Sequence, residues 1–219
     1  MPIRRDTSTS TVQGVMASLA ELVATATELA AQRRVILGIV GPPGAGKSTV
    51  TRALHGALST WDLVEMDGYH LANDVLLGLG RRHRKGAPDT FDVDGFVALL
   101  GRVRDAHDPV VYAPRFRREI EEPIANALPV RAGSPGVIVE GNYLLHDALG
   151  WDRVRPLLDA VWYVDTPPDV CRHRLLERAQ VTYSTAEAAA KWVDTVDEPN
   201  AALVRASRDR ADLLVTLDV

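Results

Sequence analysis

Apolar residues fall into two kinds of run along this chain. Val12, Val15, Met16, Leu19, Leu22, Val23, Ala26 and Leu29 recur at intervals of three and four, which predicts an amphipathic helix over 10–32 packed on the domain's own core. Val35-Ile36-Leu37-Gly38-Ile39-Val40 is instead a short unbroken run of mostly branched side chains that stops at glycine and proline. That is the mark of a strand buried on both faces. Leu63–Met66, Val137–Val139, Ala160–Val164 and Leu213–Thr216 repeat the texture, and helical stretches such as Thr49–Leu58 separate them. The pattern predicts an α/β fold of three layers, a mostly parallel five-stranded sheet covered by helices on both faces.

Length and charge narrow the class. At 219 residues the chain is expected to be a single domain, 1–219, with 1–33 as an N-terminal helix. Cys171 is the only cysteine, which excludes an internal disulfide and a multi-cysteine metal site. The six histidines form no H-x-H or H-E-x-x-H pair. No apolar run reaches about 18 residues and Met1-Pro2-Ile3-Arg4-Arg5-Asp6 leads into Thr and Ser, so neither a membrane span nor export is expected and the compartment is read as cytoplasmic. A net charge of -4 speaks against a nucleic-acid partner. Arg81-Arg82-His83-Arg84-Lys85, a dense basic cluster without aromatic interleaving, is read as a mobile substrate-side loop. It belongs to a stretch, 67–136, where glycines and prolines break the pattern into short segments, as expected of a substrate-binding insertion between core strands. Ser184-Thr185-Ala186-Glu187 has capping-box spacing and opens a further helix toward Trp192.

The strongest chemical signal is Gly41-Pro42-Pro43-Gly44-Ala45-Gly46-Lys47-Ser48, which satisfies G-x-x-x-x-G-K-[ST] between a predicted strand and a predicted helix. Gly41, Gly44, Ala45 and Gly46 let backbone N–H groups turn around phosphate oxygens, and Thr49 continues into the helix whose N-terminus adds positive potential. Lys47 reaches the β/γ-phosphates and Ser48 can bind Mg²⁺. These residues point to ATP and Mg²⁺ as cofactors. Asp67 and Glu140 each follow an apolar strand, and ligands of such sheets bind beyond the carboxyl ends of strands, so both acids are expected to face the loop.

With Met66-Asp67-Gly68-Tyr69-His70, Pro109-Val110-Val111-Tyr112, Val139-Glu140-Gly141-Asn142-Tyr143-Leu144 and Val164-Asp165-Thr166 leading into Arg172–Arg178, the chain resembles the uridine kinase, phosphoribulokinase and pantothenate kinase group of P-loop kinases. Lys85-Gly86-Ala87-Pro88-Asp89-Thr90-Phe91-Asp92 and Asp197-Glu198-Pro199-Asn200-Ala201 look most like a bacterial branch of nucleoside/nucleotide kinases and fructose-transport-associated kinases. The resemblance implies transfer of the ATP γ-phosphoryl group to a hydroxyl of a small metabolite, a nucleoside or a sugar. It implies Lys47, Asp67, Glu140 and Arg174 as catalytic residues, with Asp67 orienting the hydroxyl and taking its proton late. Glu140 takes a Walker-B-like place and shares the metal with Ser48. Arg174 and Arg178, four apart on one helix face within a lid over 171–200, would close on the phosphates while Arg172 points elsewhere.

Tyr69, His70, Tyr112 and Arg115 are the acceptor candidates beside Asp67. Ala113-Pro114-Arg115-Phe116 after Tyr112 departs from the uridine kinases, and Arg115, Arg117 and Arg118 are more cationic than a neutral nucleoside needs. A pantothenate-type acceptor stays open, as does a regulatory ATPase in which water takes the phosphate. Members of the group often form dimers or tetramers, so a homo-oligomer also stays open.

Overall fold

In the computed structural model, which describes residues 14–16 and 18–216, the strands are β1 (Gly14–Met16), β2 (Val35–Val40), β3 (Asp62–Glu65), β4 (Val110–Arg117), β5 (Glu122–Arg131), β6 (Gly136–Gly141), β7 (Ala160–Val164) and β8 (Leu213–Thr216). Six of them form one sheet in the order β1-β8-β7-β2-β6-β3, every pairing parallel. The helices are α1 (Leu19–Leu29), α2 (Lys47–Ala57), α3 (Asn73–Gly78), α4 (Val93–Asp105), α5 (Pro168–Thr182), α6 (Ala186–Trp192) and α7 (Glu198–Arg205).

β2 shows why the sheet is buried on both sides. Val35, Leu37 and Ile39 point into one apolar cluster with Leu22 of α1, Leu54 of α2 and Trp162. Ile36 and Val40 point into the other, with Phe96 and Leu100 of α4, Tyr143 and Trp151. The period of two therefore divides one continuous apolar run between two cores. Burial of each such branched side chain is worth about 1.5–3 kcal/mol, enough to fix the register of the strand that carries the phosphate loop.

All five predicted strands form, and the sixth comes from the segment read as helix. The helix expected over 10–32 is α1 alone, capped by Ser18 and Glu21 in a reciprocal box, while Gly14–Met16 lies as a parallel edge strand beside β8. Residues 10–13 of that predicted helix fall outside the described ones. Apolar spacing at three and four misleads there because an open sheet edge satisfies the backbone of Gly14–Met16 better than another helical turn. The later cap is Thr185 and not Ser184, since the Thr185 hydroxyl accepts from the Ala188 amide at 3.1 Å.

The insertion has regular structure of its own. A 3₁₀ turn, Met66–Tyr69, ends β3, and α4 packs on the sheet. β4 and β5 form an antiparallel hairpin with a register irregularity between Ala113 and Arg115. The hairpin passes so close to the turn that a Cβ on Gly68 would collide with the Pro114 carbonyl. The basic cluster is likewise no mobile loop. Arg81 and Arg84 pair with Asp89, and Lys85 is buried.

Candidate active site

The phosphate loop joins β2 to α2 and is held from behind. Gly44 has φ +80°, and a Cβ there would lie 2.5 Å from the Cys171 carbonyl in the first turn of α5. Glycine is thus required twice over, by conformation and by space. The Thr166 hydroxyl donates to the Ala45 carbonyl at 2.8 Å, and Arg174 Nη1 donates to the Gly44 carbonyl at 3.3 Å. Gly46, at φ 94°, starts α2 without a side-chain cap, so the helix's first N–H groups stay available to an anion. Ser48 and Thr49 are exposed at its mouth.

Lys47 is only 8% exposed and its Nζ donates to the Pro42 carbonyl at 3.1 Å. Burial pushes its pKa down, opposed by the nearby carboxylates of Glu140 and Asp67. Glu140 stands beside Glu65 in the β6–β3 register and beside Ile39 in the β6–β2 register, which brings it to the carboxyl end of the sheet. Its Oε1 accepts from the Ser48 hydroxyl at 2.8 Å. Burial pushes the Glu140 carboxyl up, with Lys47 opposing. Among the described residues no group of three or more His, Cys, Asp or Glu side chains could cage a metal. A hydroxyl paired with one carboxylate is nevertheless the donor set that suits Mg²⁺, which keeps most of its shell for phosphates and water.

Asp67 sits in the 3₁₀ turn with its side chain 38% exposed, and its Oδ2 lies 3.5 Å from Arg118 Nη2. Of the acceptor candidates, Arg115 is drawn to the same end, 3.5 Å from Glu65 Oε1. His70 lies between the rings of Phe91 and Phe116, at centroid distances of 4.0 and 4.9 Å, with Nδ1 2.8 Å from the Asp67 carbonyl. Burial pushes its pKa down, so the imidazole is neutral and braces the Asp67 turn.

Two candidates lie elsewhere. Tyr69 is a core residue, edge-on to Phe96 at 5.1 Å, and the charges that reach its hydroxyl are Asp92 and Arg102 on the α4 side. Tyr112 is 55% exposed on the outer face of β4, because its neighbours Val111 and Ala113 take the inner one. Neither is brought to Asp67.

The lid arginines divide as their spacing suggests. Arg174 faces the loop, Arg178 lies 3.7 Å from Asp197 and its charge acts on Lys47, and Arg172 turns away to Asp194 at 2.5 Å. Thr166, Glu65 and Asp197 also stand close to these groups and are not singled out as site residues in the sequence, where Arg118 and Lys85 enter as members of basic stretches. Asp197 ends a π-helical turn, Val193–Asp197, and is only 9% exposed, with its carboxyl pushed up by burial. The signal available for it was its place in the Asp197-Glu198-Pro199-Asn200 motif.

No family model matches the chain. A candidate uridine kinase, C227.14 of Schizosaccharomyces pombe, is 31% identical over 199 residues, 84% of this chain and 83% of that protein. The pantothenate kinase of Leifsonia xyli subsp. xyli is 31% identical over 214 residues, 84% of this chain and 66% of that protein. The crystal structure of a candidate fructose transport system kinase from Silicibacter sp. TM1040 superposes with a TM-score of 0.82 at 35% identity, covering 90% of this chain and 98% of that one. A parallel sheet with a glycine-rich phosphate loop, carboxylates at the ends of β6 and β3, and relatives of this identity and coverage lead to one assignment. The chain belongs to the P-loop kinase group of uridine kinase, phosphoribulokinase and pantothenate kinase, and it is an ATP-dependent small-molecule kinase.

Proposed function

We propose that the acceptor is a polyhydroxylated metabolite of nucleoside or sugar type, with Asp67 holding the hydroxyl that receives the phosphoryl group. The observation that supports this reading is the grouping at the strand ends of Lys47 in the phosphate loop, Glu140 bonded to Ser48 at 2.8 Å, and the part-exposed Asp67 just beyond Glu65, the register partner of Glu140. A phosphoryl transfer site needs that combination, a cation for the transferring group, a carboxylate for the metal and a second carboxylate for the nucleophile.

The Gly41–Thr49 segment cradles the triphosphate with its N–H groups, and Lys47 leaves the Pro42 carbonyl for the phosphate oxygens. Ser48 and Glu140 would hold Mg²⁺, which when bound neutralises charge between the β- and γ-phosphates. Asp67 accepts the proton of the acceptor hydroxyl as its oxygen bonds to the γ-phosphorus and the bond to the ADP oxygen breaks. Arg174 and Arg178 approach from α5 and stabilise charge on the transferring group. His70 keeps the Asp67 turn in place through the carbonyl bond.

A panel of nucleosides, ketoses, aldoses, their monophosphates and pantothenate, incubated with MgATP and read by product mass, tests the reading. A phosphorylated nucleoside or sugar is the expected product. Phosphorylation of pantothenate alone replaces the acceptor class, and hydrolysis to ADP and phosphate with every candidate favours a regulatory ATPase.

A further inference from the structure

Arg118 faces one oxygen, Oδ2, of the carboxylate proposed to take the acceptor hydroxyl. Its Nη2 stands 3.5 Å from Asp67 Oδ2, with the two side chains 59% and 38% exposed. An exposed pair at that separation contributes little to stability, about 0–1 kcal/mol, so the contact is easily exchanged. Two further arginine–carboxylate pairs near the strand ends and α5 are similarly long, Arg115–Glu65 at 3.5 Å and Arg178–Asp197 at 3.7 Å, whereas Arg172–Asp194 on α5 is close at 2.5 Å. Pairs that tie the framework are close by comparison, as with Arg131–Asp62 and Arg208–Asp165, both at 2.6 Å.

The backbone beneath Arg118 is fixed although its side chain is not. The hairpin turn closes through the Glu121 amide on the Arg118 carbonyl at 3.4 Å. The Glu121 carbonyl in turn accepts from Lys85 Nζ at 2.6 Å and from Asn73 Nδ2 at 3.2 Å. Lys85 itself is 7% exposed, bonded to Asn73 Oδ1 at 2.8 Å and set over the Phe116 ring at 5.1 Å. The guanidinium can therefore swing by side-chain torsion from a stationary base. Its charge is felt by Glu65 and by Asp197 as well as by Asp67, so it stands between the hairpin and the lid.

A neutral hydroxyl taking Asp67 Oδ2 would part the guanidinium from its nearest carboxylate, leaving it only the longer-range charges of Glu65 and Asp197. An anion on the same molecule supplies the partner through a charge-assisted bond. We propose that Arg118 is a charge-exchange residue that selects an anionic acceptor: it covers Asp67 in the free enzyme and transfers to a phosphate or carboxylate on the acceptor, uncovering Asp67 for the hydroxyl. The proposal rests on the acceptor site described above and narrows its substrate class to polyhydroxylated anions.

Calorimetric titration tests it without relying on turnover. The phosphate loop is first filled with a nonhydrolysable MgATP analogue so that it cannot capture the ligand. Two pairs that differ in an anionic group are then compared, ribose 5-phosphate with ribose and glycerate with glycerol. At least one anionic member is expected to bind about tenfold or more tightly than its neutral counterpart, in line with a hydrogen bond to a charged group. Arg118→Ala should abolish that ratio, and Arg118→Lys should restore part of it. Asp67→Asn, which releases the arginine, should increase the ratio, an effect that a merely structural arginine would not produce. No anionic preference in either pair, or a ratio unchanged in Arg118→Ala, overturns the proposal. If the preference behaves as expected while no acceptor is phosphorylated in the panel above, the charge exchange stands and the acceptor-kinase reading fails.

Discussion

The two ends of the site are built by different means. At the nucleotide end the working groups are backbone amides on a loop wedged between β2, α2 and the first turn of α5, and Lys47 is buried among them. At the acceptor end the groups are half-exposed side chains on a 3₁₀ turn and a hairpin, joined by ion pairs of 3.5 Å. Backbone N–H groups so placed suit an anion such as a polyphosphate. Side chains on a hairpin can be exchanged without disturbing the sheet. The difference teaches where one scaffold keeps its chemistry and where it changes its substrate.

Lys47→Ala should break the nucleotide end outright. We expect a fall in kcat of about 10³–10⁵-fold, the size associated with a cation on the transferring phosphoryl group, with an unchanged circular dichroism spectrum. Asp67→Asn acts at the other end and should lower kcat by about 10²–10⁴-fold while MgATP affinity, measured by titration, is retained. Weakened MgATP binding in Asp67→Asn would erase the separation of the two ends.

Lys85→Met tests whether the hairpin is a rigid base. It leaves Asn73 Oδ1 without its donor and removes one of two donors from the Glu121 carbonyl. A loss of about 1–3 kcal/mol in unfolding free energy is expected, with a raised acceptor KM and an unaltered ATP KM. The smallest effect is the pH dependence of stability at His70. Its folded pKa lies below the unfolded value of 6.5, so its contribution is fully present above that pH and is lost as the pH falls toward the folded value. His70→Gln should flatten the decline in thermal stability between about pH 7 and 5.5, by at most about 1.4 kcal/mol per pH unit. His146, whose pKa burial also lowers, supplies a remaining slope in the same direction.

How much of this was legible in the sequence follows from the same contrast. The nucleotide end is written in consecutive residues, Gly41 to Ser48, between two unmistakable patterns, and the five core strands announce themselves as apolar runs. The acceptor end is made by contacts far apart in the chain. Arg118 meets Asp67 across 51 residues, and Lys85 meets Glu121 across 36. No local spacing encodes such meetings. Pro114, Pro123 and Pro129 also disguise β4 and β5, since proline argues against a strand except at the edges a lone hairpin provides. A tyrosine two residues from Asp67 in the turn after β3 can face either the site or the core. Packing against Phe96 decides which, and that partner is invisible along the chain.

The edge pairing of β1 with β8 has a consequence for biosynthesis. Gly14 lies opposite Leu214 and Met16 opposite Thr216, so the first strand of the sheet has no partner until the last one exists. During translation the central strands β2, β3, β6 and β7 can assemble while residues 14–16 wait for β8, so the β1 edge is completed after the centre of the sheet. A chain halted before β8 would leave β1 unmatched and expose the flank of β7, a natural point of engagement for chaperones.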